Sequence, residues 1–267
     1  MDPFWRIALL AVVQGITEFL PVSSSGHLVI LSALLTPAGE PRADVTDLNI
    51  VLHLGTLLSI AVFYWRRILA LVGEDRRAIG LLLVGTLPAL ALGLPLKLFA
   101  EAWLENPLLA GCLLPVTGLI LLYSRRVDRA EGNYTELTWL RAILVGCAQA
   151  VAILPGISRS GATITAGLAC GLSRKSAATF SFLLALPAIA AAGLLEICEL
   201  TLHGDEFSTP LPYLAVGMAI SFAVGMVALL WLVRWLEQGK LWWFAAWCFL
   251  VGGGIIVWQS FPLPTGT

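Results

Sequence analysis

Apolar runs of bilayer length, separated by short charged breaks, constrain this chain more than any other feature. A spanning helix needs about 20 mostly apolar residues to cross a hydrocarbon core about 30 Å thick. Six runs qualify: 48–65, 78–97, 107–123, 177–197, 211–233 and 241–258. Of 267 residues, 58% are hydrophobic and only 12% charged, against roughly 25% charged in a soluble chain. Mean hydropathy is +0.88. So few charges cannot clothe a soluble surface, and the chain reads as an all-α polytopic membrane protein forming one membrane domain. A net charge of −1 offers no basic field for displacing counterions, which argues against a nucleic-acid partner. The five cysteines lack close pairing and read as small apolar packing residues rather than a zinc site or disulfide framework. The first apolar stretch starts weakly basic, contains Glu18 and lacks a small-x-small cleavage pattern, unlike a cleavable signal peptide.

Two further regions, 4–35 and 139–172, are interrupted midway. The breaks are Leu20-Pro21-Val22-Ser23-Ser24-Ser25-Gly26 and Leu154-Pro155-Gly156-Ile157-Ser158-Arg159-Ser160-Gly161, where Pro, Gly and clustered hydroxyls stop a helix. After the first break only 27–35 remain apolar, a helix of about 14 Å that cannot cross. Each region is therefore expected to be a re-entrant helical hairpin, its irregular tip enclosed by protein or facing a wet cavity.

The two hairpins resemble each other. Gln14 precedes Ser23 by nine residues as Gln149 precedes Ser158, and each serine opens a Ser-x-Ser-Gly ending at Gly26 or Gly161. Each hairpin is followed by three spans, giving repeat one over about 1–123 and repeat two over about 139–258. Because three is odd, the second unit enters from the opposite side, so the expectation is an inverted-topology repeat whose tips meet near the midplane. Charge placement orients it. With the 66–77, 124–141, 173–176 and 234–240 connections in the cytoplasm, twelve of the 16 basic residues lie there; Arg6, Arg42 and Lys97 lie opposite, and Arg159 sits in a tip. That bias puts the first hairpin's entrance on the external face.

Glu18 is the one carboxylate well inside an apolar run, and an uncompensated charge there costs about 2.5–3.5 kcal/mol even on an insertion scale. Gln14, four residues earlier, shares its helical face, where oxygens converge on a hard cation or a water; a protonated structural Glu18 is the alternative. The first tip adds Ser23, Ser24, Ser25, Gly26 and His27. Turn and cap duty explains Ser25 and Ser23 well. His27 is suited to proton exchange or attack on phosphorus, with helix capping as its plainer reading. The second tip places Arg159 among Ser158, Ser160 and Thr163. A guanidinium fork beside a helix start suits phosphate oxygens, while an Arg159–Glu18 ion pair joining the tips would need no ligand; both hold in turn if a ligand rearranges the pair. His53 reads as a packing histidine that borders the same cavity at most, and His203 as a solvated member of a loop with Asp205 and Glu206. The ten tryptophans, among them Trp65, Trp103, Trp242 and Trp258 near run ends, suit interfacial anchoring. Together the tips suit phosphoryl transfer, which mainly needs charge neutralisation and alignment, on a substrate whose apolar tail stays in lipid.

The stretch Gln14-Gly15-Ile16-Thr17-Glu18-Phe19-Leu20-Pro21-Val22-Ser23-Ser24-Ser25-Gly26-His27 resembles the first signature of the bacterial undecaprenyl-diphosphate phosphatase family associated with bacitracin resistance. Pro155-Gly156-Ile157-Ser158-Arg159-Ser160-Gly161-Ala162-Thr163 resembles the second. With Leu54-Gly55-Thr56 and Phe180-Ser181-Phe182-Leu183-Leu184-Ala185, the likeness covers essentially the whole chain. It implies an inner-membrane enzyme that removes the terminal phosphate of undecaprenyl diphosphate, regenerating the carrier for peptidoglycan, with a divalent cation, Mg2+ or Ca2+. By motif position it puts Gln14 and Glu18 on the metal, Ser24 and His27 with Glu18 and Arg159 in catalysis, and Ser23, Ser25, Gly26, Ser158, Arg159, Ser160 and Thr163 against substrate. Gln14 is the uncharged option at a position where the family accepts Glu or Gln, which removes one anionic metal ligand. Asn49 lies where relatives often carry an acidic residue and stays unassigned. Ser24, His27 and water are all open as the attacking group. The competing class is an alternating-access transporter or flippase for polyprenyl phosphate, since midplane hairpins and inverted repeats recur in carriers. A homo-oligomer and a monomer are both compatible with these runs.

Overall fold

The computed structural model describes residues 3–35, 46–73, 75–128, 131–203 and 209–260. Arg42 and Arg129 of the charge tally lie outside these residues, as do the His203 side chain, Asp205 and Glu206. The described chain is helical: α1 (Pro3–Thr17), α2 (Ser24–Leu35), α3 (Thr46–Phe63), α4 (Trp65–Gly73), α5 (Arg76–Leu104), α6 (Pro107–Val127), α7 (Trp139–Val151), α8 (Arg159–Ala169), α9 (Arg174–His203), α10 (Leu211–Glu237) and α11 (Phe244–Ser260). Five stretches are long and apolar enough to cross a membrane: Arg76–Ala100, Pro107–Val127, Arg174–Leu195, Leu211–Glu237 and Leu241–Ser260. A sixth span is present if α3 and α4, bent by 68°, count as one.

That bend departs from the expectation of one run over 48–65 followed by a charged connection, because residues 65–73 are helical. Arg66 and Arg67 cannot continue into lipid. Tyr64 is buried at the bend with its ring stacked on Phe182, centroids 6.1 Å apart, while the Arg66 guanidinium sits 5.3 Å over the Trp65 ring. Helix α4 buries Leu71 and exposes Trp65, Leu69 and Val72, a pattern that suits a helix lying along the membrane surface.

Lipid tails are as apolar as leucine, so membrane helices associate through close packing of small residues. Helix α7 meets α5 where a Cβ on Gly146 would lie 2.0 Å from the Gly85 carbonyl oxygen, and α3 meets α10 where one on Gly55 would lie 2.6 Å from the Met218 carbonyl oxygen. The other principal pairings are α1 with α10, α6 with α11, α3, α5 and α8 with α9, α6 with α8, and each short helix with its hairpin mate, α1 with α2 and α7 with α8. Phe19, Phe180, Phe182 and Leu183 fill the centre without exposure.

Helices α1, α2, α7 and α8 have 15, 12, 13 and 11 residues, at most about 23 Å each. Both hairpins break where the sequence places Pro, Gly and Ser. Ser23 has φ +69°, a left-handed conformation that is strained for a residue with a side chain. It is held because the Ser23 hydroxyl oxygen accepts the Gly26 N–H at 3.3 Å. Ser158 caps α8 in the matching way, accepting the Gly161 N–H at 3.1 Å. The breaks also touch: the Gly156 N–H donates to Ser23 Oγ at 3.0 Å. On α6, the Thr117 hydroxyl donates to the Gly156 carbonyl at 2.7 Å and accepts the Ser158 N–H at 2.9 Å. Backbone groups that leave the helical ladder thus find partners inside the protein, as lipid requires.

Candidate active site

Glu18 follows α1 directly and is buried, its side chain 6% exposed. Three groups meet its carboxylate. Gln14 Nε2 donates to Oε2 at 3.1 Å, and the Ser24 hydroxyl donates to the same oxygen at 2.7 Å. Arg159 Nη2, 141 positions away, donates to Oε1 at 2.8 Å. The tip-joining ion pair read as an alternative in the sequence is therefore formed, and it lies between the two hairpins. A charge-assisted bond this deeply buried is stronger than its surface counterpart.

Arg159 is itself fixed from the far side. Its Nη1 donates to the Ser181 carbonyl on α9 at 3.4 Å, and its guanidinium carbon lies 5.9 Å from the Phe182 ring centroid. Thr163, one turn later, donates to the Arg159 carbonyl at 2.7 Å and shares a 2.5 Å hydroxyl contact with Ser181 Oγ. Ser158 and Ser160 hydroxyls lie 3.2 Å apart, and Ser160 also donates to the Leu20 carbonyl at 3.4 Å. Ser158, Ser160 and Thr163 are buried, whereas Ser24 and Ser25 are half-buried. Gly26 is where the tips touch: a Cβ there would lie 2.8 Å from the Gly156 nitrogen.

His27 stands apart from this cluster. Its Nδ1 bonds the Ser23 carbonyl at 2.8 Å, and its Nε2 accepts the Trp247 indole N–H at 3.0 Å. Neither nitrogen bonds Ser24, whose hydroxyl is committed to Glu18. The second imidazole is nearer the carboxylate. His53 Nδ1 bonds the Asn49 carbonyl at 2.8 Å, leaving Nε2 3.8 Å from Glu18 Oε2. The His53 side chain is 33% exposed, so it stands on the more open flank of the site.

The sequence grouped Gln14, Glu18, Ser23, Ser24, Arg159, Ser158, Ser160 and Thr163, and the structure brings them together across the two breaks. Ser181 was given no site role by the sequence, and His53, read there as a packing histidine bordering the cavity at most, lies 3.8 Å from the carboxylate. Ser181 is an ordinary hydroxyl in a spanning run. His53 joins the site only because α3 packs against α1.

A divalent cation needs oxygen ligands and tolerates substrate phosphates among them. Among the described residues no three His, Cys, Asp or Glu side chains converge. The local donor set nevertheless fits a cation shared with substrate: Gln14 is fully buried and its Oε1 has no hydrogen-bond partner, beside a carboxylate. An orphaned buried carbonyl oxygen of this kind wants a donor or a cation.

The amino-acid sequence matches a known family. The family model described as bacitracin resistance protein BacA matches residues 7–254. A curated relative from Rhodopirellula baltica named undecaprenyl-diphosphatase is 52% identical over 252 residues, covering 94% of this chain and 96% of the relative. Proteins of the same name from Desulfatibacillum aliphaticivorans and Mycobacterium leprae are 39% and 37% identical, each across 94% or more of both chains.

Proposed function

The chain belongs to the bacitracin resistance protein BacA family, and from that membership we propose that it hydrolyses undecaprenyl diphosphate to undecaprenyl phosphate and inorganic phosphate, returning the carrier to peptidoglycan synthesis. The observation that carries this reading to particular residues is the convergence of Ser24 and Arg159 on Glu18.

Phosphoryl transfer through a loose transition state asks little of a base and much of charge neutralisation and alignment. Arg159 supplies the planar donor fork for the terminal phosphate, exchanging Glu18 for phosphate oxygens as substrate arrives. Ser24 Oγ attacks the terminal phosphorus, its proton passes to Glu18 Oε2, and the bond from that phosphorus to the bridging oxygen breaks, releasing undecaprenyl phosphate. Water then attacks the serine phosphate, the bond from phosphorus to Ser24 Oγ breaks, and Oγ takes its proton back from Glu18, giving inorganic phosphate and restoring the hydroxyl. Glu18 and Gln14 Oε1 would hold Mg2+ or Ca2+, which when bound supplies positive charge for the diphosphate oxygens. Ser158, Ser160 and Thr163 hold the second break in shape around Arg159, and the free N–H groups at the start of α8 favour an anion there.

The same proposal places both broken hairpins as re-entrant elements of an inverted repeat in the inner membrane, with the site opening outward. The matched caps at Ser23 and Ser158 support it. So does the packing: exchanging α1 with α7, α3 with α9, α5 with α10 and α6 with α11 turns the α1–α10 pair into α7–α5, and the α3–α10 pair into α9–α5.

The test is phosphate release by the purified chain in detergent, where no sidedness exists and pure transport gives nothing. Wild type is expected to release phosphate and to stop when the divalent ion is chelated. Ser24→Ala should lose on the order of 100-fold or more, and acid-quenched wild type should carry phosphate on Ser24. Near wild-type turnover in Ser24→Ala would remove the serine from the attacking role, and the same result in both Glu18→Ala and Arg159→Ala would defeat the site.

A further inference from the structure

His27 is bonded at both nitrogens by groups that have only one way to bond. The Ser23 carbonyl, 2.8 Å from Nδ1, accepts and never donates; the Trp247 indole N–H, 3.0 Å from Nε2, donates and never accepts. The pair dictates one tautomer, with the proton on Nδ1 and the lone pair on Nε2. The two rings are nearly parallel, 10° between planes and 6.2 Å between centroids. Trp247 comes from α11, 220 positions from His27, and is 51% exposed. A tryptophan that only anchors a helix turns its N–H toward headgroups and water; this one turns it inward to the first tip.

We infer that Trp247 is a positioning residue for the reaction: with the Ser23 carbonyl holding the proton on Nδ1, its indole N–H fixes where the Nε2 lone pair of His27 points before substrate binds. This rests on the reading of His27 as a participant in phosphate release. The Ser24 proton already has its acceptor in Glu18, which leaves His27 Nε2 to serve the other partner of the reaction, the water that cleaves the serine phosphate. Nε2 has a single lone pair, so the indole N–H must give way to that water, which passes a proton to Nε2 as its oxygen bonds phosphorus. Trp247 thereby acts through His27 and touches no reacting atom.

The experiment labels histidine with 15N and reads the imidazole shifts of the detergent-purified full chain at neutral pH, with His27 assigned by its disappearance in His27→Asn. The expected wild-type signature is a protonated Nδ1 and a hydrogen-bonded, unprotonated Nε2. Two changes separate donor from bulk: Trp247→Phe, and benzothienylalanine at position 247, which keeps the bicyclic shape and replaces N–H by sulfur. Both should move the Nε2 signal to its unbonded position and lower kcat about tenfold, the equivalent of one ordinary hydrogen bond, with KM within about twofold. An Nε2–H tautomer in wild type, or His27 shifts unmoved by benzothienylalanine, would overturn the inference. Because the shifts are read without turnover, they stand even if the chain hydrolyses no diphosphate, and that outcome would count against the proposed activity alone.

Discussion

Breaking the Glu18–Arg159 pair from one side should be worse than removing it altogether. The Glu18 and Arg159 side chains are 6% and 15% exposed, and their atoms meet at 2.8 Å. Deleting one partner of such a pair strands the other charge and typically costs about 3–5 kcal/mol, whereas replacing both by groups of similar volume is often neutral. Arg159→Met leaves Glu18 with the Gln14 and Ser24 donors but without a counter-cation in the pair; Glu18→Gln leaves a guanidinium with a neutral amide. For a chain above 150 residues, 1 kcal/mol moves Tm by about 2–4 °C, so each single change is expected to lower Tm by roughly 6–20 °C in detergent. The double variant Glu18→Gln/Arg159→Met should regain at least half of the larger loss. Thermal unfolding followed by tryptophan fluorescence measures all four proteins, and none needs to be active. Additive losses, with the double variant as low as the summed singles, would refute the claim that this contact couples the two hairpins.

Two further outcomes follow from local geometry. Gly146→Ala should destabilise strongly, since its Cβ would meet the Gly85 carbonyl oxygen at 2.0 Å, while Gly253→Ala, with nothing within 4 Å, should leave Tm within about 1–2 °C; equal effects would show that α5 and α7 do not pack this closely. Gln14→Glu should lower the divalent-ion concentration for half-maximal phosphate release, because it puts a second carboxylate where the buried Gln14 Oε1 lies without a partner; an unchanged or higher requirement would place the cation elsewhere.

The spans and breaks were legible because each rests on a local property. Run length decides what can cross, and Pro155, Gly156 and the capping serines decide where a helix must stop. Glu18 and Arg159 were legible because a charge in an apolar stretch needs a reason. What escaped depends on contacts distant in sequence. The bend at Tyr64 carries no Pro or Gly and arises where a buried ring packed on Phe182 is followed in the chain by Arg66 and Arg67. His53 was read as bordering the cavity at most, and its approach to Glu18 exists only through the packing of α3 on α1. Trp247 has the composition of a membrane anchor, and only the direction of its N–H distinguishes it. Asn49, left unassigned, contributes its backbone carbonyl to His53.

The hydroxyl of Ser23 accepts one N–H from its own hairpin and one from the other, Gly26 at 3.3 Å and Gly156 at 3.0 Å. A single oxygen thus serves as local splint and as clasp between the two breaks, so the first loop cannot change shape without loosening its grip on the second. Glu18 arrives with one break and Arg159 with the other, and the stitch between them is what turns two dead ends into one cluster.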